Sequence, residues 1–434
     1  MAFNFKQKLG WMLVGILCLA PLGFWYAMRP LGLRFYDESS ILRRLGQIFG
    51  LLGMTVFIIN IILSARIRFI EAFFGGIDKA YKAHHLLGGI SFLLLLFHPL
   101  VLAFKLAGVS FKAAALFLLP GSDNAINFGI VALALFIVLL SVTYFIKLRY
   151  HWWKLSHKFL GIVFFLAIFH TFFIASDISR YLPLKVYMAG LVLAGAAAYI
   201  YRTILSWVLV DKYEYTVEAV YPLGSQIVEI EMLPRGKKLI FKPGQFIFVS
   251  FLGKDFSKEI HPFSISSGSV DKKLKIAIKS LGDYTSRLKD LKPGVVVKAE
   301  GPFGRFSYLN GFSKKQIWIG GGIGITPFLS MARSLQAGEY QVELYYCAKT
   351  QAELVFIEEL LAMAGRLPDN LKIFPFCADN QGILNANTVY KTSGGLLGKD
   401  IFLCGPPAMM KNLKQQFKEM GVPGRNIHSE EFNF

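Results

Sequence analysis

Apolar residues in this chain gather into six long runs in its first half and into short alternating blocks in its second. The runs lie near 10–28, 46–64, 86–104, 126–146, 159–175 and 186–210 and are almost free of charge. At 1.5 Å per residue, each is about long enough to cross a hydrocarbon core of ~30 Å as a helix. From about Asp211 onward strand-like and helix-like segments alternate and no such run occurs. The pattern therefore predicts a six-helix transmembrane bundle over 1–210, an antiparallel β-barrel over 211–311 and a doubly wound α/β domain over 312–434. Lys6 and Lys8 precede the first run, as in a signal peptide. Its length and the lack of a small-residue cleavage site favour a retained helix.

Composition agrees with a membrane protein. Of 434 residues 54% are hydrophobic, and the formal charge is +19. Position matters more than the sum. Residues 211–434 carry 28 basic and 22 acidic side chains, which leaves 19 against 6 in the membrane half. Cations such as Arg66, Arg68, Lys79, Lys82, Lys147, Arg149, Lys154 and Lys158 flank the helices, where they suit anionic lipid headgroups. Nucleic acid binding explains this placement poorly. Cys18, Cys347, Cys377 and Cys404 form no CxxC pair, so neither a zinc site nor a Cys-ligated iron–sulfur cluster is available, and no disulfide is expected.

Histidines inside apolar helices are costly and need a partner. His84 and His98 are fourteen residues apart on the third run, about 21 Å along the axis and only about 40° from facing the same way. His85 is thirteen from His98, which leaves those rings about 140° apart, so His84 is the expected ligand and His85 its neighbour. His157 and His170, on the fifth run, are also thirteen apart. If both bind iron, a π-bulge or kink must lie between them, near Gly161. Two pairs at membrane-spanning separation predict two b-type haems, the inner on His84 and His157 and the outer on His98 and His170. Gly88, Gly89 and Gly161 would let a flat macrocycle approach the backbone; glycines there also serve helix packing. His151 is expected on the surface.

In the second half, Pro234-Arg235-Gly236, Pro243-Gly244 and Pro293-Gly294 punctuate a β-rich stretch. His261-Pro262-Phe263-Ser264 ends one strand, and Ser264 there can offer a hydroxyl to a flavin. Ile278 to Thr285 runs from a strand into a helix start, where Gly282, Tyr284 and Thr285 could present amides to a pyrophosphate. Next, Ile317-Trp318-Ile319 leads into Gly320-Gly321-Gly322-Ile323-Gly324-Ile325-Thr326-Pro327 and a helix. That strand–turn–helix context gives a glycine motif its meaning. A second turn, Cys404-Gly405-Pro406-Pro407, follows Ile401-Phe402-Leu403.

These segments, with the terminal phenylalanine, resemble the ferredoxin–NADP reductase type of module. Fused behind paired membrane histidines, the module is similar to the ferric reductase and NADPH oxidase superfamily in a minimal, bacterial-type form. The resemblance implies that Ser264 contacts FAD, that the turns starting at Gly320 and Cys404 hold NADPH or NADH, and that Phe434 covers the flavin ring. Ser264, Cys404 and Phe434 then lie closest to the chemistry. Many soluble relatives have Arg where His261 stands, so the flavin phosphate needs another cation, for which Lys279 is a candidate. No EF-hand loop and no Cys-rich ferredoxin tail are present.

The expected activity is electron transfer from cytoplasmic NAD(P)H through FAD and two haems to an extracytoplasmic acceptor, oxygen or a ferric chelate, in a multi-pass cell-membrane protein needing no obligatory protein partner. Basic residues orient the loops weakly, with ten on inner segments against eight on outer ones; the cytoplasmic nucleotide pool puts both termini inside. Arg29, Arg34, Arg43 and Arg44 cluster between the first two helices. They could attract an anionic acceptor, or pair with haem propionates or with Asp37 and Glu38. Lys349 could meet a 2′-phosphate or be a solvated lysine. One rival sends the electrons to quinone or a periplasmic protein. Another is a proton-relaying transporter with a nucleotide-binding tail, which the matched histidine spacing argues against.

Overall fold

The computed structural model describes residues 5–28, 37–148, 150–206, 210, 212–253, 256 and 259–431, without the side chains of residues 5–8, Arg68, Tyr150 and His151. Arg29, Arg34 and Phe434 lie outside the described residues. The chain divides into two compact units, Phe5–Leu209 and Val210–Phe434.

The first unit is helical: α1 (Phe5–Met28), α2 (Glu38–Ser64), α3 (Ile77–Ala107), α4 (Asn124–Phe145), α5 (Tyr150–Lys158), α6 (Leu160–Phe173) and α7 (Leu182–Tyr199), with shorter helices between them. Among the described residues six helices are long and apolar enough to span a membrane, α5 and α6 counting as one over Trp152–Phe173. Two of them start on acidic caps. Asp37 accepts from Ser40 N while Ser40 Oγ accepts from Asp37 N, and Asp123 accepts from Ala125 N and Ile126 N. Helix α2 is the central one, with Ile58 fully buried. It turns Gly46, Gly50 and Gly53 toward α3, where a Cβ would come within 2.8 Å of Leu102, His98 and Leu95 respectively. Only glycine allows the two helices to approach so closely. Phe57, Phe92, Phe136 and Phe164 form an aromatic cluster, with Phe57 and Phe136 ring centroids 5.0 Å apart.

The second unit holds two sheets. In the first, β1 (Tyr213–Leu223), β2 (Ile227–Pro234), β3 (Phe246–Phe251), β4 (His261–Ser264), β5 (Leu274–Lys279) and β6 (Val296–Phe303) run antiparallel in the order β4-β3-β6-β1-β2-β5. The sheet curls until Ile265, just past β4, bridges to Ile276 of β5. Its inward-facing residues, such as Val217, Ile230, Val249 and Val297, fill the interior. A short helix α8 (Asp283–Arg287) follows β5.

The second sheet is wholly parallel, with β7 (Lys315–Gly321), β8 (Gln341–Ala348), β9 (Leu371–Cys377), β10 (Asp400–Cys404) and β11 (Ile427–Glu430) in the order β11-β10-β7-β8-β9. Strands β7, β8 and β10 are buried almost throughout, as a sheet covered on both faces requires. Helices α9 (Thr326–Arg333), α10 (Ile357–Arg366) and α11 (Pro407–Glu419) belong to this part. Chain order reverses between β7 and β10, and ligands of such sheets bind at the carboxyl ends of the strands flanking that point.

Candidate functional site

Two histidine pairs come together within the helical unit. His84 and His157 have ring centroids 6.0 Å apart, and His98 and His170 6.2 Å. Helix α3 is unbroken between its two histidines, as a fourteen-residue spacing allows. The other helix is interrupted, because thirteen regular steps would splay its rings. The break falls at Phe159, not at Gly161, and it is tightened instead of widened into a π-bulge. Phe159 N donates to Ser156 O and Ile162 N to Phe159 O. Each residue in such an i→i−3 turn adds about 20° of rotation over the α-helix, bringing the rings toward one face. The π-turn among the described residues lies elsewhere, at Ile200–Ile204.

Backbone carbonyls set the tautomer of three rings. His84 Nδ1 donates to Asn60 O at 3.0 Å, His98 Nδ1 to Gly46 O at 2.7 Å and His170 Nδ1 to Ala125 O at 2.8 Å. A carbonyl only accepts, so Nδ1 carries the proton and Nε2 keeps a lone pair for a metal. His157 differs: its Nδ1 is buried with no hydrogen-bond partner among the described residues, and its ring stacks on Trp153 at 5.3 Å. His85 lies 6.1 Å from His84 and is exposed.

These residues fit bis-histidine iron. Two imidazoles on one iron, with bonds of about 2 Å, hold their centroids about 6 Å apart. A cavity of about 550 Å³ adjoins the second pair, lined by His98, His170, Trp25, Arg43, Gln47 and Asp177 among mostly apolar neighbours. That volume lies within the range of cofactor sites. Glycines again make the space: a Cβ on Gly50 would fall 2.8 Å from His98 Nδ1, and one on Gly129 2.7 Å from His170 Nδ1. The glycines singled out from sequence behave otherwise. Gly161 is overlain by the Tyr199 ring and serves helix packing, a Cβ on Gly88 would stand 3.2 Å from Asn60 Nδ2, and nothing lies within 4 Å of one on Gly89.

Arg43 is exposed at this cavity, whereas Arg44 is paired. Its partners are Asp177 (3.6 Å) and Gln47 (2.9 Å), and Trp25 Nε1 also donates to Asp177 at 3.0 Å. Of the partners open to these arginines, an anionic acceptor, haem propionates or Asp37 and Glu38, Arg44 takes none of the neighbouring carboxylates, and Asp37 caps its helix.

In the second unit, β4 lies at a sheet edge, where proline is tolerated and main-chain groups face outward. His261 stacks on Tyr284 of α8 at 4.1 Å, and its Nε2 bonds Glu259 at 2.9 Å. Ser264 is buried and stands in register with Phe246. Pro262 and Phe263 are half-buried beside it. Thr285 Oγ1 accepts from Leu281 N and Gly282 N, so the Gly282 amide is committed to the local turn. Lys279 ends β5 half-buried.

The two turns of the parallel sheet touch. A Cβ on Gly324 would lie 2.5 Å from Cys404 O and 2.7 Å from the Gly405 Cα; one on Gly321 would meet Met409 and Pro406. Gly320 and Cys404 are register partners. Gly322 adopts φ +55°, a conformation glycine takes without strain. Thr326 Oγ1 donates to Ile323 O at 2.7 Å, closing the turn, and Pro327 opens α9. Lys349 follows β8 and is exposed at the same end of the sheet.

Cys404 is fully buried among apolar side chains, and burial next to Glu430 pushes its thiol up, so it stays protonated. Glu430 escaped the sequence reading. It is 3% exposed, pairs in register with Cys404, and reaches within 2.6 Å of where a Gly304 Cβ would stand. Gly304 in turn packs on Phe246, the register partner of Ser264. Ser264, Glu430 and Cys404 thus lie along one line of contacts from β4 to the turn after β10.

Comparison with known proteins gives three family matches in chain order: a ferric reductase like transmembrane component over 49–168, an FAD-binding domain over 213–305 and an oxidoreductase NAD-binding domain over 318–415. The glycine betaine monooxygenase reductase subunit of Pseudomonas aeruginosa is 30% identical over 207 residues, 44% of this chain. The match spans 56% of that relative's length. The toluate 1,2-dioxygenase electron transfer component of Pseudomonas putida is 28% identical over 234 residues, 51% of this chain and 67% of the relative. A flavohemoglobin from Malassezia yamatoensis, solved with FAD and heme, has a TM-score of 0.52 over 90% of this chain and 96% of its own at 18% identity, a likeness of fold alone.

Proposed function

We propose that this chain, which belongs to the ferric reductase/NADPH oxidase-like flavocytochromes by its three matched domains, carries electrons from cytoplasmic NAD(P)H across a membrane to an extracytoplasmic acceptor. The observation that carries the reading is the pair of histidine layers, with centroids 6.0 and 6.2 Å apart, in a chain that also holds FAD- and NAD-binding domains. When bound, FAD accepts a hydride and b-type haems pass electrons singly.

The chain's own residues position these groups. His84 and His157 would hold one haem and His98 and His170 the other, with carbonyls aiming three of the four rings. The edge strand His261–Ser264 would hold the flavin, and the touching turns at Gly320 and Cys404 would hold the nicotinamide nucleotide against it. Glu430, beside Cys404, supplies a buried carboxylate that can hold a proton or orient the nicotinamide there. Lys349 faces the end of the sheet at which an adenosine phosphate would lie. Two histidines on one iron would leave it no open position, so an acceptor would be met at the rim of the His98 and His170 site.

Membrane vesicles test the direction. Inside-out vesicles loaded with ferricyanide and supplied with external NADPH should reduce the trapped ferricyanide. Reduction only when both reagents share one side would defeat transmembrane transfer. Arg43 is exposed at the cavity, and it serves an anionic acceptor. Arg43→Ala is expected to lower ferric citrate reduction about three- to tenfold at low salt, with haem content unchanged. An unchanged rate that also lacks salt dependence removes Arg43 from acceptor capture.

A further inference from the structure

The turn that begins at Gly320 leads directly into α9, and the far end of that helix grips the flavin-type barrel. Ser330, Arg333 and Ser334 are spaced i, i+3, i+4, so they share one helix face. Arg333 is 9% exposed and uses its whole fork. Nη1 donates to Glu229 Oε1 of β2 at 2.9 Å and to Ser266 O at 2.8 Å. Nε and Nη2 donate to the two carboxylate oxygens of Glu359 on α10, each at 2.8 Å. Ser330 Oγ donates to Ser267 O at 2.7 Å, and Ser334 Oγ accepts from Ser269 N at 2.9 Å. Every barrel group held this way, apart from Glu229, lies two to five residues beyond Ser264. Glu229 is tied to the same segment, because Ser266 Oγ donates to it at 2.9 Å.

We propose that Arg333, with Ser330 as its auxiliary, is a positioning residue that fixes the nicotinamide turn against the flavin strand. The inference rests on the assignment of those two segments to nicotinamide and flavin. One eight-residue helix joins the ligand sites end to end. Its first residue belongs to the glycine turn, and its last holds the backbone that continues from Ser264. Lysine cannot replace the fork, since its single ammonium cannot span Glu359, Glu229 and Ser266 O together. A small misplacement of reacting groups costs far more rate than binding.

The test uses full-length, detergent-solubilised, FAD-loaded protein and compares Arg333→Lys and Ser330→Ala with the unaltered chain. Four quantities are read: FAD content, NADP⁺ affinity, the long-wavelength charge-transfer absorbance of NADP⁺ with dithionite-reduced flavin, and the anaerobic rate of flavin bleaching by NADPH. Arg333→Lys should keep FAD and NADP⁺ affinity within about twofold, lose most of the charge-transfer absorbance and bleach about tenfold more slowly per bound flavin. Ser330→Ala should move the same two signals in the same direction by about threefold. Unchanged charge-transfer absorbance and bleaching in both variants overturns the proposal. So does loss of FAD with an unchanged rate per bound flavin, which makes Arg333 a residue of barrel stability only. If neither NADPH nor NADH bleaches the unaltered protein's flavin, the underlying assignment of the two segments fails, and the proposal falls with it.

Discussion

A His170→Ala variant is expected to bind about half the haem of the unaltered protein and to lose electron delivery to the external acceptor. His170 is held by Ala125 O and lies 6.2 Å from His98, so on the proposed ligation its loss would leave that layer with one ligand and an enlarged cavity. Loss of second-shell partners alone costs about 10–100-fold in metal affinity or activity, and loss of the ligand should cost more. NADPH oxidation driven by a ferric acceptor should therefore drop by over about 100-fold, while the His84 and His157 layer still loads. Counting haem per polypeptide by pyridine haemochrome gives the answer. Two haems retained in His170→Ala would remove this residue from the ligand set. Gly129→Ala provides a milder control, since its Cβ would stand 2.7 Å from His170 Nδ1 and must displace the ring.

The second large effect is expected at Gly324. Its Cβ would fall 2.5 Å from Cys404 O and 2.7 Å from Cys404 C, both backbone atoms that cannot rotate away. Gly324→Ala must therefore push the two nucleotide turns apart, an overpacking that costs about 1–3 kcal/mol. Affinity for NADPH should fall about tenfold or more, because that cost is drawn from the binding geometry. Haem content and haem reduction by dithionite should stay normal, since Gly324 is in the second unit. Titration of NADP⁺ binding checks this directly, and an unchanged affinity would show that the two turns need not touch to bind nucleotide.

The sequence made some of this plain because helix geometry is rigid. Fourteen steps on one helix put His84 and His98 on one face, and thirteen on the other required a distortion between His157 and His170. It did not say where. The break falls at Phe159, an exposed residue in a tightened turn that nothing in the local pattern marks. The glycine turn was legible for a similar reason: a strand before it and a helix after it leave few conformations for Gly320 to Pro327.

What stayed hidden depends on residues far apart in sequence. Gly50 and Gly129 look like any packing glycine until the rings of His98 and His170 are set against them. Glu430 reads as a charge near a chain end; parallel pairing of β10 with β11 puts it beside Cys404. Arg333 could pass for a helix-terminal arginine facing solvent, the usual fate of a basic residue in a last turn. Its partners, Glu229 and Glu359, are 104 and 26 positions away. Arg44 likewise finds Asp177 across the bundle in place of the acidic residues next to it in sequence.

The central claim is that nicotinamide electrons reach histidine-bound haem within this one chain. An absorption spectrum of the purified, flavin- and haem-supplied protein, taken before and after anaerobic NADPH, tests it most directly. The account predicts a Soret band that shifts on NADPH addition, with sharpened α and β bands of low-spin, six-coordinate iron. No Soret band, or haem that dithionite reduces and NADPH and NADH do not, would contradict it.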